Sequence, residues 1–171
     1  IVVDTDAHNT TGPLGVSVRA PVLTGAQDFV AAAVAAGIPM GDYNGRDRGG
    51  ADGVVSLFET TTRDGKRSST YHAFLEGEVE QRPKLEVICG AQVIKVLLEA
   101  DPDSLRATGV EYRTADRQTA TVLAAKEVVL SAGAVGSPHL LMLSGVGPQA
   151  ELDAVGVPCH LDAPDVGKHL K

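Results

Sequence analysis

Residues 133–148, GAVGSPHLLMLSGVGP, decide how this chain is read. They follow the apolar run Glu127-Val128-Val129-Leu130-Ser131, so the order is strand, tight glycine turn, then helix. Ser137 has the short oxygen side chain favoured at an N-cap, and Pro138 suits the first helical position, where no backbone N–H is needed. The helix is expected over 137–144, with Gly145 closing it in the left-handed conformation that glycine adopts without penalty. A strand led into a helix N-terminus through small residues lets backbone N–H groups approach an anionic group closely. Within the same stretch, Gly145-Val146-Gly147-Pro148-Gln149-Ala150 fits G-x-G-x-x-A, the loose dinucleotide fingerprint. That spacing has physical meaning only between a strand and a helix. Here it follows a helix and carries proline in fourth place, so it reads as a cap and turn.

Outward from this segment, the composition excludes several classes of function. With 43% hydrophobic and 22% charged residues, the chain is an ordinary globular sequence. A formal charge of −7 argues against a polyanionic partner such as nucleic acid. The richest apolar window, 29–36, is mostly alanine and closes at Gly37, so no membrane-spanning segment is expected. No secretory signal is present and the first residue is Ile1, so a processed or excised piece of a longer polypeptide is expected. The triplet Asn9-Thr10-Thr11 leaves the compartment undecided. Cys89 and Cys159 lack metal-ligand spacing and read as two buried or idle thiols rather than a disulfide.

Residues 8–82 read as a mixed, irregular layer. Turn chemistry in Thr11-Gly12-Pro13-Leu14-Gly15 precedes a short strand at Val16-Ser17-Val18, and a helix is expected over 26–36, capped by Gly37. Asp42-Tyr43-Asn44-Gly45 and residues 48–53 form a glycine-rich loop. A strand is expected over 54–62, broken at Asp64-Gly65, and then a helix from Ser68 or Ser69 with Tyr71, Phe74, Leu75 and Val79 on one side. Beyond it come apolar runs at 85–89, 92–99, 107–112 and 119–124, too close together for intervening helices. This spacing predicts an antiparallel meander. The run at 127–131 is continuous, as in strands buried within a parallel sheet. The fold class is therefore α/β to α+β, with boundaries expected near 82/83 and 148/149.

The residues of 133–148 closely resemble the second signature of the glucose-methanol-choline (GMC) family of FAD-dependent oxidoreductases. Gly133, Ala134, Ser137, Pro138, Leu140, Leu141, Ser144, Gly145, Val146 and Gly147 stand where that signature expects them. The resemblance extends over 8–170. Gly65-Lys66-Arg67-Ser68-Ser69 is similar to the family's G-x-R-x-S stretch, and Arg82-Pro83-Lys84-Leu85-Glu86-Val87 to its R-x-N-L-x-V entry, with Lys84 replacing asparagine. Gly109-Val110-Glu111-Tyr112 matches its GVEY strand. Asp165-Val166-Gly167-Lys168-His169-Leu170 departs from G-V-G-x-N-L at Asp165 and His169. The resemblance implies that 1–82 is part of a substrate-binding region, 83–148 part of an FAD-binding domain, and 149–171 a segment leading back toward the substrate side. It also implies that the chain is the middle portion of an enzyme whose G-x-G-x-x-G loop and C-terminal catalytic histidine lie in other segments, which would be its partners alongside a small-molecule substrate.

Candidate site residues follow from both readings. Among His8, His72, His139, His160 and His169 none has metal-ligand spacing; His8, opening the turn-rich substrate-side segment, is the one candidate for a catalytic base. The resemblance aligns Val93 with a position whose backbone meets the FAD adenine, and Ser131-Ala132-Gly133 with the turn that runs beside the cofactor. Small residues there permit close backbone approach; plain strand packing would use the same residues. The activity implied is oxidation of an alcohol by hydride transfer to FAD. The alternatives are a non-catalytic scaffold piece, a lyase, or a fatty-acid photodecarboxylase on the same scaffold.

Overall fold

The computed structural model describes residues 4–18, 21–46, 53–77, 79–101 and 104–170. Most of the expected glycine-rich stretch at 48–53 lies outside them. The chain divides into two compact units, Ile1–Glu86 and Val87–Lys171.

The first unit is held by short pairings. Strand β1 (Ser17–Val18) pairs antiparallel with β2 (Glu59–Thr60), and β3 (Thr62–Arg63) pairs antiparallel with β4 (Lys66–Arg67). Asp64 and Gly65 join β3 to β4 with φ of 51° and 74°, the paired left-handed residues of a two-residue hairpin turn. The expected strand over 54–62 is thus divided: Val55 makes only an isolated parallel bridge to Met40 before β2 begins. Helix α1 (Thr24–Ala35) ends at Ala36, followed by Gly37 at φ 93°. Only Val30 of this helix is buried. Helix α2 (Thr70–Phe74) is capped by Ser69, whose side chain accepts the His72 N–H. It stops short of Val79, because the chain leaves helical geometry at Leu75 and turns through Gly77 at φ 81°.

The second unit is built on a meander. Strands β5 (Gln92–Asp101), β6 (Ser104–Arg113) and β7 (Thr119–Leu123) pair antiparallel in the order β5-β6-β7. Two register shifts, between Val93 and Lys95 and between Leu97 and Leu98, bend the long β5-β6 pair. Gly109 sits where β7 presses closest: a Cβ there would lie 2.4 Å from the Val122 carbonyl oxygen. Two expected strands do not form. Residues 85–89 and 127–131 have no ladder partner among the described residues, and an apolar run becomes a strand only when a neighbour accepts its hydrogen bonds. Among the described residues, then, 127–131 joins no parallel sheet. The segment keeps a strand-like alternation, with Val128 and Leu130 half-buried and Val129 exposed.

Helix α3 (Gly133–Leu143) begins one turn earlier than the proline rule predicts. Gly133, at φ 84°, turns the chain into the helix directly. Pro138 is interior, where it lacks only the bond to the Ala134 carbonyl, and Ser137 Oγ reaches back to accept the Ala132 N–H at 3.0 Å. The far end is as expected: Ser144 is the C-cap and Gly145 takes φ 82°. Ser144 is buried, and its Oγ donates to the Leu140 carbonyl at 2.6 Å while accepting the Val96 N–H at 2.8 Å. One hydroxyl thus ties the helix end to the free edge of β5. Beyond it, β8 (Val146–Gly147), α4 (Gln149–Ala154) and β9 (Leu161–Asp162) form a small parallel β-α-β loop around buried Leu152.

Candidate cofactor cleft

The fingerprint at 145–150 has a strand and a helix around it after all, in β8 and α4, so the reading of a plain cap and turn is incomplete. The helix start is nevertheless taken: the Asp162 carboxylate accepts the Gln149 N–H at 3.0 Å, and Glu151 adds a second acid in the first turn. Two carboxylates in that position repel a phosphate rather than bind it.

A better site lies between the meander and α3. The cleft, about 420 Å³, is walled by Val93 of β5, Gly109 and Val110 of β6, Val122 and Leu123 of β7, residues 124 and 127–132, and Leu140 of α3. Local chemistry explains each wall. Alternation along β5 puts Val93 on this side, and the bulge that follows it opens the strand. Gly109 lets β7 close in, which brings Val122 and Leu123 to the cleft. The unpaired segment 127–131 supplies the opposite wall. Among the described residues its backbone N–H and C=O groups hold no hydrogen bond to other backbone or to side chains.

Apolar walls beside a row of free main-chain donors and acceptors suit a flat heteroaromatic ring with a polar edge. The ring faces contact side chains, and the edge reads backbone. The adenine-bearing end of FAD fits this donor set. Helix α3 adds first-turn N–H groups with no acidic residue in its first turn to oppose an anion.

Of the residues singled out from sequence, Val93, Ser131 and Ala132 line this one cleft. Gly133 is one residue beyond its wall. A Cβ on Gly133 would meet nothing within 4 Å beyond its neighbours and the backbone of its own helical turn, so the constraint there is the left-handed φ. Periodicity missed Val122, Leu123, Val128 and Leu130, whose signal was the pairing of Gly109 with Leu123 and the two-residue alternation of 127–131.

His8 belongs to the other unit. Its Nε2 lies 2.7 Å from Asp42 Oδ2. Asp42 also accepts the N–H groups of Asp4 and Asn44. The Asp4 N–H foremost, then the Asn44 N–H and the His8 ring, hold the Asp42 carboxyl below its ordinary value against the opposing effect of burial. An ionised Asp42 makes Nε2 the protonated nitrogen of neutral His8. His72 pairs with Ser69 Oγ at 2.7 Å and His169 with Asp165 at 3.3 Å. No group of three metal-ligating side chains occurs among the described residues, and no helix among them is long and apolar enough to cross a membrane. Cys89 and Cys159 are free.

Comparison with known proteins gives the same direction. A family model described as GMC oxidoreductase matches residues 3–171. The alcohol dehydrogenase [acceptor] of Pseudomonas putida is 39% identical over 166 residues, covering 96% of this chain and 28% of that protein. The chloroplastic fatty acid photodecarboxylase of Chlamydomonas reinhardtii is 38% identical over 148 residues, 84% of this chain and 24% of that protein. An FAD-dependent oxidoreductase from Chaetomium thermophilum superposes with a TM-score of 0.82 at 27% identity, covering 96% of this chain and 27% of that one. The chain thus spans little more than a quarter of the length of the proteins it matches. Matched along nearly all of its own length, the chain belongs to the FAD-dependent GMC oxidoreductase family.

Proposed function

We propose that this chain is part of an enzyme that oxidises an alcohol, a CH–OH donor, by hydride transfer to FAD. Residues 83–148 contribute to the cofactor-holding part and residues 1–82 to the substrate side, with 149–171 leading back toward it. The observation that carries this reading is the cleft joining Val93, Ser131 and Ala132, with the unpaired backbone of 127–131 as one wall.

When bound, FAD supplies the hydride acceptor, and the protein supplies orientation and electrostatics. Val93, Val122 and Leu123 hold the adenine end between apolar walls. The backbone at 131–133 runs beside the cofactor, and the small side chains of Ser131 and Ala132 keep that approach close. The proton of the alcohol needs a base poised near neutral pH. His8 has the right chemistry, but its Nε2 proton is directed at Asp42, so only Nδ1 could accept. Family resemblance assigns that role to a histidine in another segment.

The test is performed on the full-length polypeptide carrying this sequence, not on these 171 residues alone. Anaerobic addition of primary alcohols, choline-like amino alcohols included, should bleach the oxidised flavin absorbance. The photodecarboxylase relative favours a second reading, and the same preparation decides it. Loss of carboxylate from a fatty acid under blue light, with no bleaching by any alcohol, would replace the first reading. Absence of bound flavin in a folded preparation would overturn both and leave a scaffold role.

A further inference from the structure

Residues 4–12 carry no buried side chain; Asp4, His8 and Gly12 are half-buried and the others exposed. Apolar packing therefore does not hold this stretch, and polar contacts to the loop at 42–46 do. Asp42 is the hub, with only 7% of its surface exposed. Its Oδ2 accepts the Asp4 N–H at 3.0 Å and meets His8 Nε2 at 2.7 Å, while Oδ1 accepts the Asn44 N–H at 2.9 Å. Asp4 answers in kind: its Oδ2 accepts the Arg46 N–H at 2.8 Å and its Oδ1 the Asp6 N–H at 3.0 Å. Arg46 Nη2 closes the ring on the Asp6 carbonyl at 2.8 Å. Gly45 is needed between them, since a Cβ there would stand 3.0 Å from Asp4 Cβ. The far end of the stretch is anchored separately, by Arg63 Nη2 on the Gly12 carbonyl at 2.7 Å and by the Gly15 N–H on buried Ser68 Oγ at 2.9 Å.

We propose that residues 4–12 are a strap that opens and closes on the 42–46 loop as one unit, with the Asp42 carboxylate as its latch and Gly12–Gly15 as its fixed end. A segment with few apolar contacts and a shared polar anchor is the kind that opens locally without global unfolding. Removing Asp42 strands three donors at once, two of them backbone N–H groups on opposite sides of the closure. The proposal does not depend on the flavin reading.

The charged groups around the latch, among the described residues, are Asp4, Asp6, His8 and Arg46, with Glu59 reached through the Asn44 amide at 2.9 Å. Neutral His8 still donates from Nε2, so closure does not require the imidazolium. Both Asp4 and Asp42 titrate below the ordinary 3.8 in the closed form. A carboxylate depressed by folding contributes stability above its unfolded value, and loses it as pH falls through the folded one. The strap is therefore closed at neutral pH and opens in acid below the ordinary carboxylate range.

Amide hydrogen exchange on the intact polypeptide tests this. The amides of Asp6, Ala7, Asn44, Gly45 and Arg46 should share one protection level at neutral pH. Asp42→Ala should raise their exchange together by about tenfold or more, the scale of a lost bond to a charged group, while β5–β7 amides stay unchanged. After correction for intrinsic rates, acid should reproduce the effect in the wild type and add little in the variant. Val30→Ala, which loosens α1, serves as the contrast and should raise exchange across the unit without separating the strap. The proposal fails if Asp42→Ala leaves these amides protected, if they are unprotected in the wild type, or if the whole unit opens with them.

Discussion

Gly133 and Gly145 both take a left-handed φ, near 84° and 82°, yet their surroundings separate two kinds of requirement. At Gly145 a Cβ would lie 2.4 Å from the Pro158 carbonyl oxygen and 2.6 Å from His160 Cδ2. The backbone oxygen cannot retreat, because the Gly145 carbonyl also holds the N–H groups of His160 and Leu161. Gly145→Ala is expected to lower stability by roughly 2–3 kcal/mol through strain and displaced packing, read as a shift of the urea midpoint. Gly133 has open space around it, so Gly133→Ala should cost roughly 1–2 kcal/mol from its dihedral alone. The larger Gly133→Val should reduce FAD occupancy in the flavin-loaded enzyme more than it lowers the melting temperature. Flavin-to-protein absorbance ratios beside thermal melts check the pair. Equal loss of flavin in Gly145→Ala and Gly133→Val would mean that 131–133 is not the cofactor turn.

At the scale of elements, Ser144 joins α3 to β5 through a single hydroxyl. Ser144→Ala strands the Val96 N–H in a buried position, at a cost of about 1–3 kcal/mol. The specific sign is faster exchange of the Val96 amide than of its neighbours in β5. Gly109→Ala should part β6 from β7, because the added carbon meets the Val122 carbonyl, and exchange should rise along Thr119–Leu123 while α3 stays protected. The meander was legible because its members carry β-branched and apolar residues at close spacing, with polar residues between. The runs at 85–89 and 127–131 look the same by composition, but strand formation needs a partner that a single run does not encode. Helix α3 was misread at its start because two local rules compete: Ser137-Pro138 satisfies N-terminal preferences, while Gly133 permits an earlier turn. Val93, Ser131 and Ala132, placed by family spacing, line one cleft, with Gly133 one residue beyond it. The Asp42 hub was invisible, since its bonds to Asp4 and His8 cross 38 and 34 residues of chain.

For the whole molecule, the question is how much surface the chain can cover by itself. Val30, Val55, Val96, Leu140 and Leu152 are its buried apolar side chains among the described residues, while Phe29, Phe58, Leu123 and Val129 are each about 70% exposed or more. So many large apolar side chains left in solvent are unusual for a soluble monomer and mark surface suited to other polypeptide. The unpaired backbone of 127–131 points the same way, as an edge ready for a ladder partner. The 171-residue chain on its own is therefore expected to self-associate. It should also fail to keep FAD through gel filtration, because one open cleft must offset the full entropic cost of capturing the cofactor. Sedimentation velocity over a concentration series, with flavin absorbance followed in each boundary, reads both at once. A compact, cooperatively folding monomer that sediments with bound flavin would show that neither further segments nor further contacts are needed.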